Sequence, residues 1–139
     1  MNELFVLDSG ALGALAVDDA RMRRLLANIV RDGGFVRVPA VVLAECYGDP
    51  RYDARYDRAL KALGGTERVV VDTTAVIAKE AGRILRAAAM KETIDAIVVA
   101  TVASAPMRAT IVTADASHVE DLVCCVDRDL GVIFLNDLS

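Results

Sequence analysis

Five short apolar runs of strand length, at Leu4–Leu7, Phe35–Val38, Arg68–Val71, Ala109–Thr113 and Val132–Leu135, alternate along the chain with segments of helical character. Every run but the last leads into a helix-like stretch, so successive strands cannot be joined by hairpins and must pair in parallel through crossovers. This predicts an α/β fold, a three-layer α/β/α sandwich with a central parallel sheet covered on both faces. Met22, Leu25, Leu26, Ile29 and Val30 trace one amphipathic stripe, stopped by Gly33–Gly34. Tyr52, Tyr56, Ala59, Leu60 and Leu63 trace another, stopped by Gly64–Gly65. Further helices read at Pro39–Tyr47, with Pro39 at the first helical position, at about Thr74–Ala89 and at Thr93–Ala105. Ser117 and Glu120 have capping-box spacing, which predicts a helix beginning just after Ser117 and leaves Asp115 in the preceding loop.

With 139 residues, 55% of them apolar, the chain reads as one domain over residues 1–139, without repeat, linker or low-complexity tract. The longest uncharged stretch of its apolar part, Ala96–Met107, is too short to cross a bilayer, and no membrane role is expected. The opening MNELFVLD has no secretory character, so a cytoplasmic protein is expected. Cys46, Cys124 and Cys125 match no metal-ligand spacing and read as small buried apolar residues. Charge is unevenly spread within the net −4: Arg21–Lys61 holds nine basic and five acidic residues, and Glu92–Ser139 two basic and eight acidic. One part could meet a phosphate backbone while the other concentrates carboxylates.

Four of those carboxylates share an address. In a right-handed parallel sheet, the carboxyl ends of strands and the amino ends of the following helices lie on one edge. Asp8 closes the first strand and Asp115 follows the fourth, while Asp95 lies in the first turn of the helix beginning near Thr93. Glu45 is one turn deeper in its helix, but helical side chains lean toward the amino end. Each acid has a plainer reading as a helix-dipole partner, a turn residue or a strand terminator. Together they would repel one another unless a cation sat between them, and an all-oxygen site suits Mg²⁺ or Mn²⁺. An ion of that kind activates water and stabilises charge on a phosphodiester, which points to nucleic-acid hydrolysis.

Over essentially its whole length the chain resembles the PIN-domain family, through LDSGAL around Asp8, VPAVVLAE ending at Glu45, TIDAIVVATV around Asp95 and IVTAD ending at Asp115. The resemblance implies a sheet of order 3-2-1-4-5, with Asp8 beside Asp115 at the topological switch point. It further implies a VapC-like endoribonuclease, the toxin of a type II toxin–antitoxin pair, that is homodimeric and held inactive by a VapB-like antitoxin. Asp8, Asp95 and Asp115 would hold Mg²⁺ or Mn²⁺, while Glu45 would hold metal or orient the attacking water.

The chain departs from the family pattern at two places. Gly10 stands where many members carry Ser or Thr, and His118 stands where a further acid often follows, with Glu120 and Asp121 just beyond. His118 is expected to be a surface or packing residue, and a role for Asp121 at the metal is left open. Arg51, Arg55 and Arg58 form a basic ridge that either contacts RNA phosphates or is simply a solvated face shared with Asp53 and Asp57. Tyr52 and Tyr56 could stack bases, although their helical spacing fits core or dimer contact better. Two rival functions stand beside the nuclease. One is a non-catalytic PIN-like binding scaffold; the other, an aspartate-based phospho-signalling or phosphatase domain, is disfavoured because Asp8-Ser9-Gly10 offers neither an acidic pair nor a DxD motif.

Overall fold

A computed structural model describes residues 3–138, the side chain of Ala116 excepted; Met1, Asn2 and Ser139, at the ends of the expected domain, lie outside the described residues. Five parallel strands make one sheet: β1 (Leu4–Leu7), β2 (Phe35–Pro39), β3 (Val70–Val71), β4 (Ala109–Thr113) and β5 (Gly131–Phe134), in the order β3-β2-β1-β4-β5. The helices are α1 (Ser9–Ala16), α2 (Ala20–Arg31), α3 (Ala40–Cys46), α4 (Asp53–Leu63), α5 (Thr66–Val69), α6 (Ala75–Ala88), α7 (Thr93–Ala103) and α8 (Ala116–Val123). Short 3₁₀ turns precede α4 and follow β5. Helices α6, α7 and α8 pack together, with α7 lying on β1, β2 and β4; α1, α2, α4 and α5 form the second group. Helix α3 touches both α1 and α7 at the carboxyl edge of the sheet.

The central strands are buried on both faces, as parallel strands between helical layers must be. Val6, Leu7, Ile111, Val112 and Val38 are fully buried, and so are Val98, Val99, Ala100 and Val102 of α7. At about 25 cal/mol per Å² of apolar surface removed from water, this shared core is the main favourable term holding the carboxyl edge in register. No helix among the described residues is long and apolar enough to cross a membrane.

Several sequence expectations are corrected. The third strand is two residues rather than Arg68–Val71, because Thr66–Val69 coil into α5 immediately after the Gly64–Gly65 stop, where φ angles of +124° and +97° suit glycine. The fifth strand begins and ends one residue earlier than expected. Val30 belongs to the outer face of α2, at 74% exposure, while Met22 and Ile29 are buried. Pro39 ends β2 and caps α3 rather than opening it. Tyr52 precedes α4 and is exposed, and of the cysteines only Cys46 is buried, with Cys125 half-buried and Cys124 exposed. Helix α1 has no stripe to betray it: Ala11, Leu12 and Ala16 are buried and its remaining faces are half-covered, so apolar residues surround it.

Candidate active site

Strands β1 and β4 lie side by side with Leu7 paired to Val112, so Asp8 leaves the sheet beside Thr113, the last residue of β4. In both turns a carboxylate caps the next helix. Asp8 Oδ1 accepts a hydrogen bond from the Ala11 N–H at 2.9 Å, and Asp115 Oδ1 accepts from the Ser117 N–H at 3.0 Å and from Ser117 Oγ at 2.9 Å. Asp115, not Ser117, is therefore the cap of α8, two residues earlier than the capping-box spacing implies. Its extended backbone already turns the carboxylate onto the free N–H groups, which places Ser117 inside the first turn.

Two contacts draw these turns together. A Cβ on Gly10 would lie 2.7 Å from Ala114 Cβ, closer than side chains approach, so the start of α1 nests against the β4–α8 turn only with glycine there. This is the physical reason for the missing hydroxyl at position 10. Thr113 supplies one instead. Its buried Oγ1 donates to the Asp115 carbonyl at 2.9 Å and accepts from the Asp115 N–H at 3.1 Å, and the same hydroxyl lies beside the Asp8 side chain, whose pKa it lowers. The sequence signal for Thr113 is faint, a polar residue at the end of the buried run ATIVT.

Asp8, Ser9, Gly10, Glu45, Asp95, Asp115 and His118 line one cleft of about 230 Å³. All four acids expected on this edge are thus brought together, Glu45 from the last turn of α3 and Asp95 from the first turn of α7. A groove of about 710 Å³ opens at the opposite edge, between α2 and β5, but it holds no comparable cluster, since its Glu3 is paired with Arg108 at 3.1 Å. The smaller cleft gathers the carboxylates.

Its electrostatics follow from burial. Asp8 is 7% exposed, and loss of solvent pushes its pKa from 3.8 up to about 6; Thr113 and the Ala11 N–H oppose the rise, while the charges of Asp95 and Glu45 add to it. Burial also raises Asp95, helped by the Glu45 charge and opposed by His118. Asp115 is exposed, and its hydrogen bonds from Ser117 hold its pKa below the ordinary value. Acidity therefore falls from the rim of the cleft to its floor. Among the described residues, no three His, Cys, Asp or Glu side chains converge closely enough to enclose an ion by themselves.

The remaining expected residues divide. His118 is in the cleft rather than serving only as a surface residue, with Nδ1 3.5 Å from Asp95 Oδ2 and Nε2 3.7 Å from Glu92 Oε1. Glu92 stands at the N-cap position of α7 without a side-chain capping bond and borders the neighbouring groove with Glu45 and Asp95; sequence reasoning missed it. Glu120 and Asp121 are exposed and do not line the cleft. In the basic ridge, Arg51 is tied to Asp49 at 2.6 Å, and Arg51 and Arg55 both lie over the Tyr52 ring. Tyr56 is half-buried against Tyr47, with ring centroids 5.7 Å apart.

A PIN domain family model matches residues 5–120 of the chain. Several solved structures share the fold. VapBC2 from Rickettsia felis, solved bound to a DNA fragment from its promoter, is 14% identical, with 94% of this chain and 98% of that chain covered at a TM-score of 0.65. VapBC-1 from nontypeable Haemophilus influenzae is 18% identical over 96% and 99% of the two chains, TM-score 0.63. PAE2754 from Pyrobaculum aerophilum is 16% identical over 98% and 93%, TM-score 0.59. No curated protein matches the chain.

Proposed function

This chain belongs to the PIN domain family, and from that premise we propose that it is a metal-dependent endoribonuclease, the toxin of a VapBC-type toxin–antitoxin pair. The observation that carries the reading is the single cleft lined by Asp8, Glu45, Asp95 and Asp115. Its donor set fits a hard divalent cation. All four groups offer oxygen, Asp8 and Asp95 are disfavoured as neighbouring anions, and an ion such as Mg²⁺ binds through one or two carboxylates while keeping several waters, so it needs no closed cage.

Asp8, Asp95 and Asp115, with Glu45, would hold Mg²⁺ or Mn²⁺, which when bound lowers the pKa of water and stabilises charge on the phosphodiester. Asp8 is fixed by the Ala11 N–H, with the Thr113 hydroxyl beside it, and offers its remaining lone pairs to the cleft from a site largely closed to solvent. Asp115 is held by its capping bonds, so its free carboxylate oxygen keeps a set direction. Glu45 is exposed at the mouth and free to accept a proton from an attacking water at a carboxylate oxygen.

The partner reading rests on charge and on likeness. A pocket of clustered carboxylates is a ready target for an Arg-bearing segment, and similar folds have been solved as VapBC assemblies. An antitoxin filling the cleft would exclude RNA and any ion at once. We place the protein in the cytoplasm as a homodimer on the same resemblance. The test incubates purified protein with mixed RNA in Mn²⁺ or in EDTA, beside Asp95→Asn. Cleavage confined to the wild type with Mn²⁺ is expected; cleavage indifferent to both EDTA and the substitution would end the proposal.

A further inference from the structure

Helix α8 contributes more to the cleft than the Asp115 cap. The chain's one histidine, His118, sits in its first turn, and the two ring nitrogens face different carboxylates: Nδ1 faces Asp95 at 3.5 Å, and Nε2 faces Glu92 at 3.7 Å. Neither distance is that of a good hydrogen bond. Two atoms bound to one ion at about 2.1 Å each, however, stand about 3 Å apart when adjacent and about 4.2 Å apart when opposite, and the Nδ1 to Oδ2 separation falls in that interval. The imidazole is half-exposed at the cleft rather than buried in the core, on a helix that packs against α7.

The second nitrogen supplies an independent indication. An imidazole that binds a metal through one nitrogen characteristically gives its other N–H to a carboxylate, which fixes the tautomer and the ring. Glu92 is the carboxylate placed for that role: it lies outside the four acids of the cleft, at the N-terminal boundary of α7, with Oε1 3.7 Å from Nε2, a gap that must close to hydrogen-bond length when the ring is bound. The imidazole therefore stands between two carboxylates, one at each ring nitrogen.

Resting on the metal-site reading above, we propose that His118 is a nitrogen ligand of the divalent ion in this cleft, bonding through Nδ1, with Glu92 accepting from Nε2–H as its positioning residue. A nitrogen among oxygen donors moves preference away from Mg²⁺ and toward Mn²⁺ and the later transition ions. The site then discriminates between metals, which four carboxylates alone would do weakly.

Because the chain has a single histidine, the first measurement needs no substitution. Untagged full-length protein is loaded with Mn²⁺ and examined by pulsed electron paramagnetic resonance, with natural-abundance and with ¹⁵N-histidine-labelled protein. A strong ¹⁴N coupling that converts to ¹⁵N on labelling is the expected result. His118→Ala should then lose the coupling and weaken Mn²⁺ about tenfold or more while affecting Mg²⁺ less, and Glu92→Gln should keep the coupling with weakened Mn²⁺ binding. Mn²⁺ that binds in an Asp95-dependent way without histidine coupling overturns the nitrogen ligand and leaves the carboxylate site standing. Equal losses of Mg²⁺ and Mn²⁺ in His118→Ala overturn it too. If Asp95→Asn leaves Mn²⁺ binding unchanged, the carboxylate site itself fails and this inference with it.

Discussion

Replacing Asp8 with Asn should make the metal-free protein more stable at neutral pH and leave it unchanged in acid. The side chain keeps its size, and an Asn oxygen caps a helix as well as an Asp oxygen does, so the bond from Ala11 N–H survives. The charge does not survive. Asp8 titrates near pH 6 in the fold against 3.8 in an ordinary environment, so the unfolded chain gives up this proton first and ionisation works against folding. The sign is fixed by that order: the cost is absent below about pH 4, grows as pH rises to about 6, and is complete above. At about 1.4 kcal/mol per pH unit it amounts to about 3 kcal/mol. Urea denaturation in EDTA should show the two proteins equal near about pH 4 and Asp8→Asn ahead by about 3 kcal/mol near about pH 7. Other titrating groups are common to both proteins and largely cancel. Mn²⁺ at a hundredfold excess over its dissociation constant should return about 2.7 kcal/mol to the wild type and much less to the variant. A gap that is the same at both pH values, or an Asp8→Asn protein less stable at neutral pH, would show that Asp8 is a structural cap and that burial does not oppose its ionisation as argued.

Gly10→Ser forces a Cβ against Ala114 at 2.7 Å and should cost about 1–3 kcal/mol with loss of cleavage, and Gly10→Ser/Ala114→Gly should recover much of both; thermal melts and RNA cleavage of the single and double variants check it. Thr113→Val strips three polar neighbours of one buried hydroxyl and should destabilise by about 1–3 kcal/mol, read by urea denaturation, while shifting the Asp8 titration, followed by carboxyl NMR, further upward. Ala89 ends α6 at φ +54°, so Ala89→Gly should raise stability by about 1 kcal/mol without touching activity, a control for effects remote from the cleft.

The parallel pairing of the strands and the meeting of four acids were readable because both depend on short-range patterns, whereas the strand order came only from the resemblance to the PIN-domain family. Alternation of strand-length and helix-length apolar segments forces parallel pairing, and each acid sits at a fixed offset from a strand end or helix start. Contacts between distant segments were not readable in this way. Gly10 is required by Ala114, over a hundred positions away along the chain, and the approach of His118 to Asp95 is set by the packing of α8 on α7. Helix α1 was hidden for a different reason, since an element surrounded by apolar neighbours shows no polar face. At Ser117 a local rule was present but lost to a competing one: the side chain of Asp115 satisfied the helix start first.

The most direct test of the central claim uses a circular single-stranded RNA, which has no ends for an exonuclease and becomes linear on a single internal cut. With Mn²⁺ the wild-type protein should linearise the circle, and neither wild type in EDTA nor Asp8→Asn in Mn²⁺ should do so. Circles that stay intact with the wild type in Mn²⁺, or that open equally in EDTA and with Asp8→Asn, would contradict a carboxylate-held divalent ion as the centre of this protein's chemistry.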